Sequence, residues 1–95
     1  MTTITKHELF NKLGQFQRGH KIANNLYRQE YAGGYALQSY STLVAVKLNG
    51  SPVWYFTGAH DYSVTTCKHC TQFTGHATAE RRQMLKDGDA VWIEG

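Results

Sequence analysis

The stretch from Tyr35 to Phe56 limits what this chain can fold into. Tyr40, Thr42, Val44, Val46 and Leu48 recur at every second position, in a run dominated by β-branched and aromatic types. That composition suits a pleated, half-buried surface and sits poorly in a helix. Asn49-Gly50-Ser51-Pro52, which holds the chain's only proline, then turns the backbone, and Val53-Trp54-Tyr55-Phe56 returns. The pattern predicts one long strand over 35–48 with its alternating residues on a single face, and a shorter partner strand after the turn. Leu26–Tyr31 mixes apolar and polar residues and fits a helix or a strand. As a strand, closed by Ala32-Gly33-Gly34, it completes a three-stranded antiparallel meander over about 24–57.

Helical signals flank this region. Thr5-x-x-Glu8 fits a capping box, in which a hydroxyl receives a free N–H and a carboxylate reaches back. Leu9, Leu13 and Phe16 follow at helical spacing, so an N-terminal helix is predicted over 5–17, with Gly14 its weak point. Gln17–Lys21 is polar and basic and reads as a connection. Ser63 or Thr65 can cap a helix over 65–74 that Gly75 stops. Thr78 can cap a short helix over 78–86, and Asp87-Gly88-Asp89 leads into a final strand over 90–94. The order predicts a single α+β domain: a three- to four-stranded antiparallel sheet with helices packed on one face. No βαβ pattern stands out.

Ninety-five residues bury roughly 60–65% of the unfolded chain's surface, a modest core. Hydrophobic residues at 41% argue for a folded chain rather than a disordered one. Ten Lys and Arg against seven Asp and Glu give a formal charge of +3, which permits an anionic partner without demanding one. The first eight residues carry no long apolar run, so neither a signal peptide nor a membrane helix is expected, and the cytosol is the predicted compartment. There the two cysteines stay as thiols.

Four constellations could carry chemistry. Cys67-x-x-Cys70 lacks the second ligand pair that structural zinc needs, and two thiols three apart on a helix are ordinary core, so no metal or other cofactor is expected. Ser63, Thr65, Thr66, Lys68 and His69 gather at a predicted helix start, where free N–H groups, hydroxyls and a lysine favour an anion. The bland alternative is that the hydroxyls only cap the helix. His60-Asp61 are adjacent and would face opposite ways on an extended chain, which disfavours joint acid–base work. Arg18, His20, Lys21 and Arg28 interleave with Tyr27 and Tyr31, and Arg81-Arg82-Lys86 forms a second basic cluster. Arginines beside aromatics on a sheet suit single-stranded nucleic acid, and Lys21 and Arg28 join the helix-start group as candidate contacts.

Ser39-Tyr40-Ser41-Thr42-Leu43-Val44-Ala45, followed by Tyr62-Ser63-Val64-Thr65-Thr66-Cys67-Lys68-His69 and Phe73, resembles a family of small uncharacterised proteins of bacteriophages and mobile elements. Its pattern is S-Y-x-T-x-V-A and then Y-S-x-T-T-x-[K/R]-H. The resemblance covers about half the chain and brings no established activity with it. It implies a phage accessory role and draws attention to Thr65, Thr66, Lys68 and His69. The expected function is non-catalytic binding of nucleic acid or of a host nucleic-acid-handling complex, with no membrane partner; a homodimer stays open. The alternatives are an inhibitor of a host defence protein and a small metal-dependent nuclease using His69 or His60.

Overall fold

The computed structural model describes residues 2–61 and 64–94, without the side chains of residues 61, 64 and 65. In chain order the elements are β1 Thr2–Thr5, α1 Lys6–Leu13, β2 Phe16–Ala23, β3 Leu26–Tyr31, β4 Gly34–Ser39, β5 Thr42–Leu48, β6 Trp54–Phe56, a 3₁₀ turn Gly58–Asp61, α2 Val64–Thr74, α3 Thr78–Asp87 and β7 Ala90–Glu94. The described strands make one seven-stranded sheet in the order β1-β7-β6-β5-β4-β3-β2. Neighbours from β2 to β6 are antiparallel. β7 pairs in parallel with β6, and β1 in parallel with β7. None of the described helices is long and apolar enough to cross a membrane.

This corrects the expected three- to four-stranded antiparallel sheet. The domain is α+β, but its sheet is mixed and has seven strands. A β-α-β connection is present after all: β6 reaches its parallel neighbour β7 through the 3₁₀ turn, α2 and α3. Parallel neighbours need such a crossover. Helices also cover both faces, not one. On one face Leu9 and Leu13 of α1 pack with Ala36, Val46 and Ile93. On the other, Cys70 of α2 and Leu85 of α3 pack with Leu26, Leu37, Val44, Ala45, Trp54, Phe56 and Ala90. Each fully buried large apolar side chain here contributes roughly 1.5–3 kcal/mol.

The predicted N-terminal helix over 5–17 is shorter. Thr5 caps it, with its Oγ1 accepting the Glu8 N–H at 3.1 Å and donating to the Glu8 carboxylate at 3.2 Å. The helix stops at Gly14, whose φ of 75° the helix cannot continue through. Phe16 begins β2 instead, so the polar stretch expected to be a connection is an edge strand paired with β3. The predicted strand over 35–48 is two strands. Tyr40 takes a φ of 56°, donates its N–H to Asn25 O at 2.7 Å, and turns β4 into β5 with Ser41.

The expected single face for Val44, Val46 and Leu48 also fails. Leu37 pairs with Ala45 but Gln38 pairs with Leu43, so Val44 is an extra residue, a β-bulge. The bulge turns both Val44 and Ala45 toward α2 and α3, while Val46 and Leu48 face α1.

Candidate nucleic-acid interface

Cross-strand register decides which polar residues meet. Arg18 on β2 lies opposite Glu30 on β3, Glu30 opposite Tyr35 on β4, Tyr35 opposite Lys47 on β5, and Lys47 opposite Trp54 on β6. One row along, His20 lies opposite Arg28, and Arg28 opposite Leu37. Directly paired residues share a face. All of these therefore lie on the side that carries α2, which covers part of that face. Phe73 of α2 packs edge-on against Tyr35 and Trp54, with ring centroids 5.7 and 6.0 Å apart.

The result is a strip of cations and rings. The Arg28 guanidinium stacks 4.0 Å from the Tyr35 ring centre, and Lys47 Nζ lies 4.8 Å from that of Trp54. Glu30 organises the outer end. Its Oε2 accepts from Arg18 Nε at 2.8 Å and meets His20 Nε2 at 2.6 Å, and its Oε1 lies 3.9 Å from Arg28 Nη2. Three permanent cations, Arg18, Arg28 and Lys47, thus share the strip with one carboxylate. The two arginines keep access to solvent, with Arg18 70% and Arg28 37% exposed.

The His20 and Arg18 hydrogen bonds hold the Glu30 carboxyl down at about 2, from an ordinary 4.5. A depressed carboxylate adds stability above its unfolded value and loses it as pH falls through the folded one. The β2–β3 hairpin should therefore loosen as pH drops from 4.5 toward about 2. Amide exchange in β2 should accelerate over that window, and Glu30→Gln should remove the pH dependence.

The five candidate contacts whose side chains are described do not form one site. Arg28 belongs to the strip. Lys21 lies opposite Tyr27, the alternate position on β2, and so faces the α1 side. Thr66 is 7% exposed, and its Oγ1 lies 3.4 Å from Ser39 Oγ, so it faces the sheet and not a ligand at the helix start. Lys68 lies on α2 and is exposed. His69 lines a cleft against Ile22, Ala23, Leu26, Gln72 and Phe73. Ser63 and the Thr65 side chain lie outside the described residues. Sequence reading missed Lys47, Tyr35 and Trp54 as parts of the strip; only the register joins them to Arg18.

The second basic cluster dissolves as well. Arg81 is fully buried. Its Nε donates to His60 Nδ1 at 3.1 Å, and its Nη2 to His60 O at 2.9 Å and Thr78 Oγ1 at 3.0 Å. Its Nη1 donates to Thr71 Oγ1 at 2.9 Å and to His76 O. All five guanidinium N–H groups are thereby used. Thr78 serves this knot and is not the cap of α3, whose N-cap position is Ala77. With Nδ1 accepting, the buried His60 ring is neutral and carries its hydrogen on Nε2. The cysteines are both free thiols, Cys70 buried against the sheet. Burial pushes the Cys70 thiol up to about 11, against a smaller downward pull from Arg81, which makes it an inert core thiol. Among the described residues no group of three His, Cys, Asp or Glu is placed to hold a metal ion.

Residues 11–89 match the model of a family of unknown function, DUF8033. The chain belongs to DUF8033. No curated protein and no solved structure matches it. In this DUF8033 member the matched segment contains both the cationic strip and the Arg81 knot, while β1 and β7 fall outside it.

Proposed function

We propose that this DUF8033 protein is a non-catalytic binder of single-stranded nucleic acid, engaged across the Arg18–Lys47 strip. The observation that supports this reading is the cross-strand row that sets Arg18, Arg28 and Lys47 beside Tyr35 and Trp54 on one half-open sheet face. Guanidinium and ammonium groups neutralise phosphates, and a guanidinium stacked on a ring offers its outer plane to a base. The resemblance to small phage proteins suits such a role, a phage-type accessory protein acting in the host cytosol.

Fluorescence anisotropy with labelled single-stranded DNA and RNA at low and moderate salt tests the reading. Two to three phosphate contacts give a log Kobs against log salt slope of about −1.5 to −2. Arg18→Ala and Lys47→Ala should each flatten that slope by about 0.7. Absence of binding at low salt would overturn the proposal and turn attention to a protein partner.

A further inference from the structure

The cleft between the β2–β3 hairpin and α2 has features that phosphate binding does not explain. Ile22, Leu26 and Phe73 form apolar walls, yet Ile22 stands 46% exposed. His69 and Gln72, three apart on α2, supply the polar groups. His69 Nδ1 is sealed from solvent and has no hydrogen-bond partner. A shielded ring nitrogen without a partner is costly unless something fills the role. The cleft holds about 210 Å³, below the roughly 300–1,000 Å³ of sites for drug-sized ligands, and is the size for a single ring system.

Its position ties it to the strip. Leu26 lies two residues before Arg28 on the same face of β3, a rise of about 6.6 Å. Phe73 both lines the cleft and packs on Tyr35, the ring that carries Arg28. Arg28 Nε is itself shielded and unpartnered. A planar base lying against Phe73 would leave its own phosphate close to Arg28 and His20.

We infer that this cleft is a nucleobase pocket, in which Phe73, Leu26 and Ile22 hold the ring and the His69 ring with the Gln72 amide, both lining the cleft, read its edge. The inference rests on the proposed single-strand binding and names the group that the strand inserts. Unpaired bases are recognised by ring stacking combined with hydrogen bonds to their exposed edges.

The test compares the full chain's affinity, by anisotropy at one low salt concentration, for homopolymeric DNA oligomers and for an abasic oligomer of equal phosphate number. At least one base-bearing oligomer should bind about tenfold more tightly than the abasic one. His69→Ala and Gln72→Ala should bring that ratio toward one while leaving abasic binding unchanged. Ile22→Ser, a change on an exposed edge-strand position, should do the same should a helix variant fail to fold. Equal binding of all oligomers, or a base preference that survives these substitutions, overturns the pocket and leaves the phosphate-binding strip standing. No binding of any oligomer overturns both.

Discussion

Arg81→Ala should leave the domain largely unfolded at room temperature. The guanidinium joins the 3₁₀ turn through His60, α2 through Thr71, the α2–α3 connection through His76 O and the start of α3 through Thr78. Truncation strands these acceptors in a buried site, and each unmet buried group costs about 1–3 kcal/mol. It also opens a cavity the size of the lost side chain. Relaxation and entering water recover part of this, so a loss of about 4 kcal/mol or more is expected, near the whole stability of many small domains. Arg81→Lys should also destabilise, since three ammonium donors cannot reproduce a planar five-donor fork. Lys86→Ala on the exposed side of the same helix should stay within about 0.5 kcal/mol. Urea unfolding followed by tryptophan fluorescence reads all three.

Gly34→Ala should be nearly as damaging, for a reason of space. Gly34 begins β4 at the point where α1 ends over the sheet. A Cβ there would run into the Lys47 carbonyl oxygen and lie 2.9 Å from Leu48 Cα and 3.0 Å from Leu13 Cδ2. Two of these are backbone atoms of the paired strand, which cannot swing aside, so about 3 kcal/mol is expected. The preceding Gly33 is held in the same place, its N–H donating to Leu13 O at 2.7 Å. Gly50 provides the contrast. It has a φ of 75°, but a Cβ added there would meet nothing within 4 Å, so Gly50→Ala should cost only backbone strain, about 1 kcal/mol. Thermal melts of the two variants should separate clearly, with Gly34→Ala far the lower.

These two residues also show where sequence reading reached its limit. Ala32-Gly33-Gly34 was legible as a break, but the cause is the seat of a helix from elsewhere in the chain, which no local pattern announces. Arg81 sits beside Arg82 and looks like one of a solvated pair. The buried positions Arg81 and Leu85 are four apart, and that helical spacing was the available signal. The β5–β6 hairpin was legible because turn chemistry and alternation agree over Val46–Phe56. β2 was hidden because it is an edge strand, exposed on most positions, and so shows no apolar period. The break at Tyr40-Ser41 lacks the Gly or Asn that marks most tight turns, and the Val44 bulge shifts the face of every residue beyond it. The pairing of β1, β6 and β7 joins the two ends of the chain and leaves no local trace.

The candidate site followed the same rule. Types of residue were legible, while their grouping was not. Residue type alone placed Arg28 with Arg18 and with Lys68 and His69, and the register brings Lys47 into its company and moves Lys21 to the far face.

Chemical-shift mapping on the ¹⁵N-labelled protein, titrated with a short single-stranded oligonucleotide at low salt, tests the central claim most directly. Perturbations should concentrate on Arg18, His20, Arg28, Tyr35 and Lys47, extend to His69 and Gln72, and fade as salt is added. Shifts confined to α3 and the α1 face, or no shifts at all, would contradict the assignment of this sheet face as the binding surface.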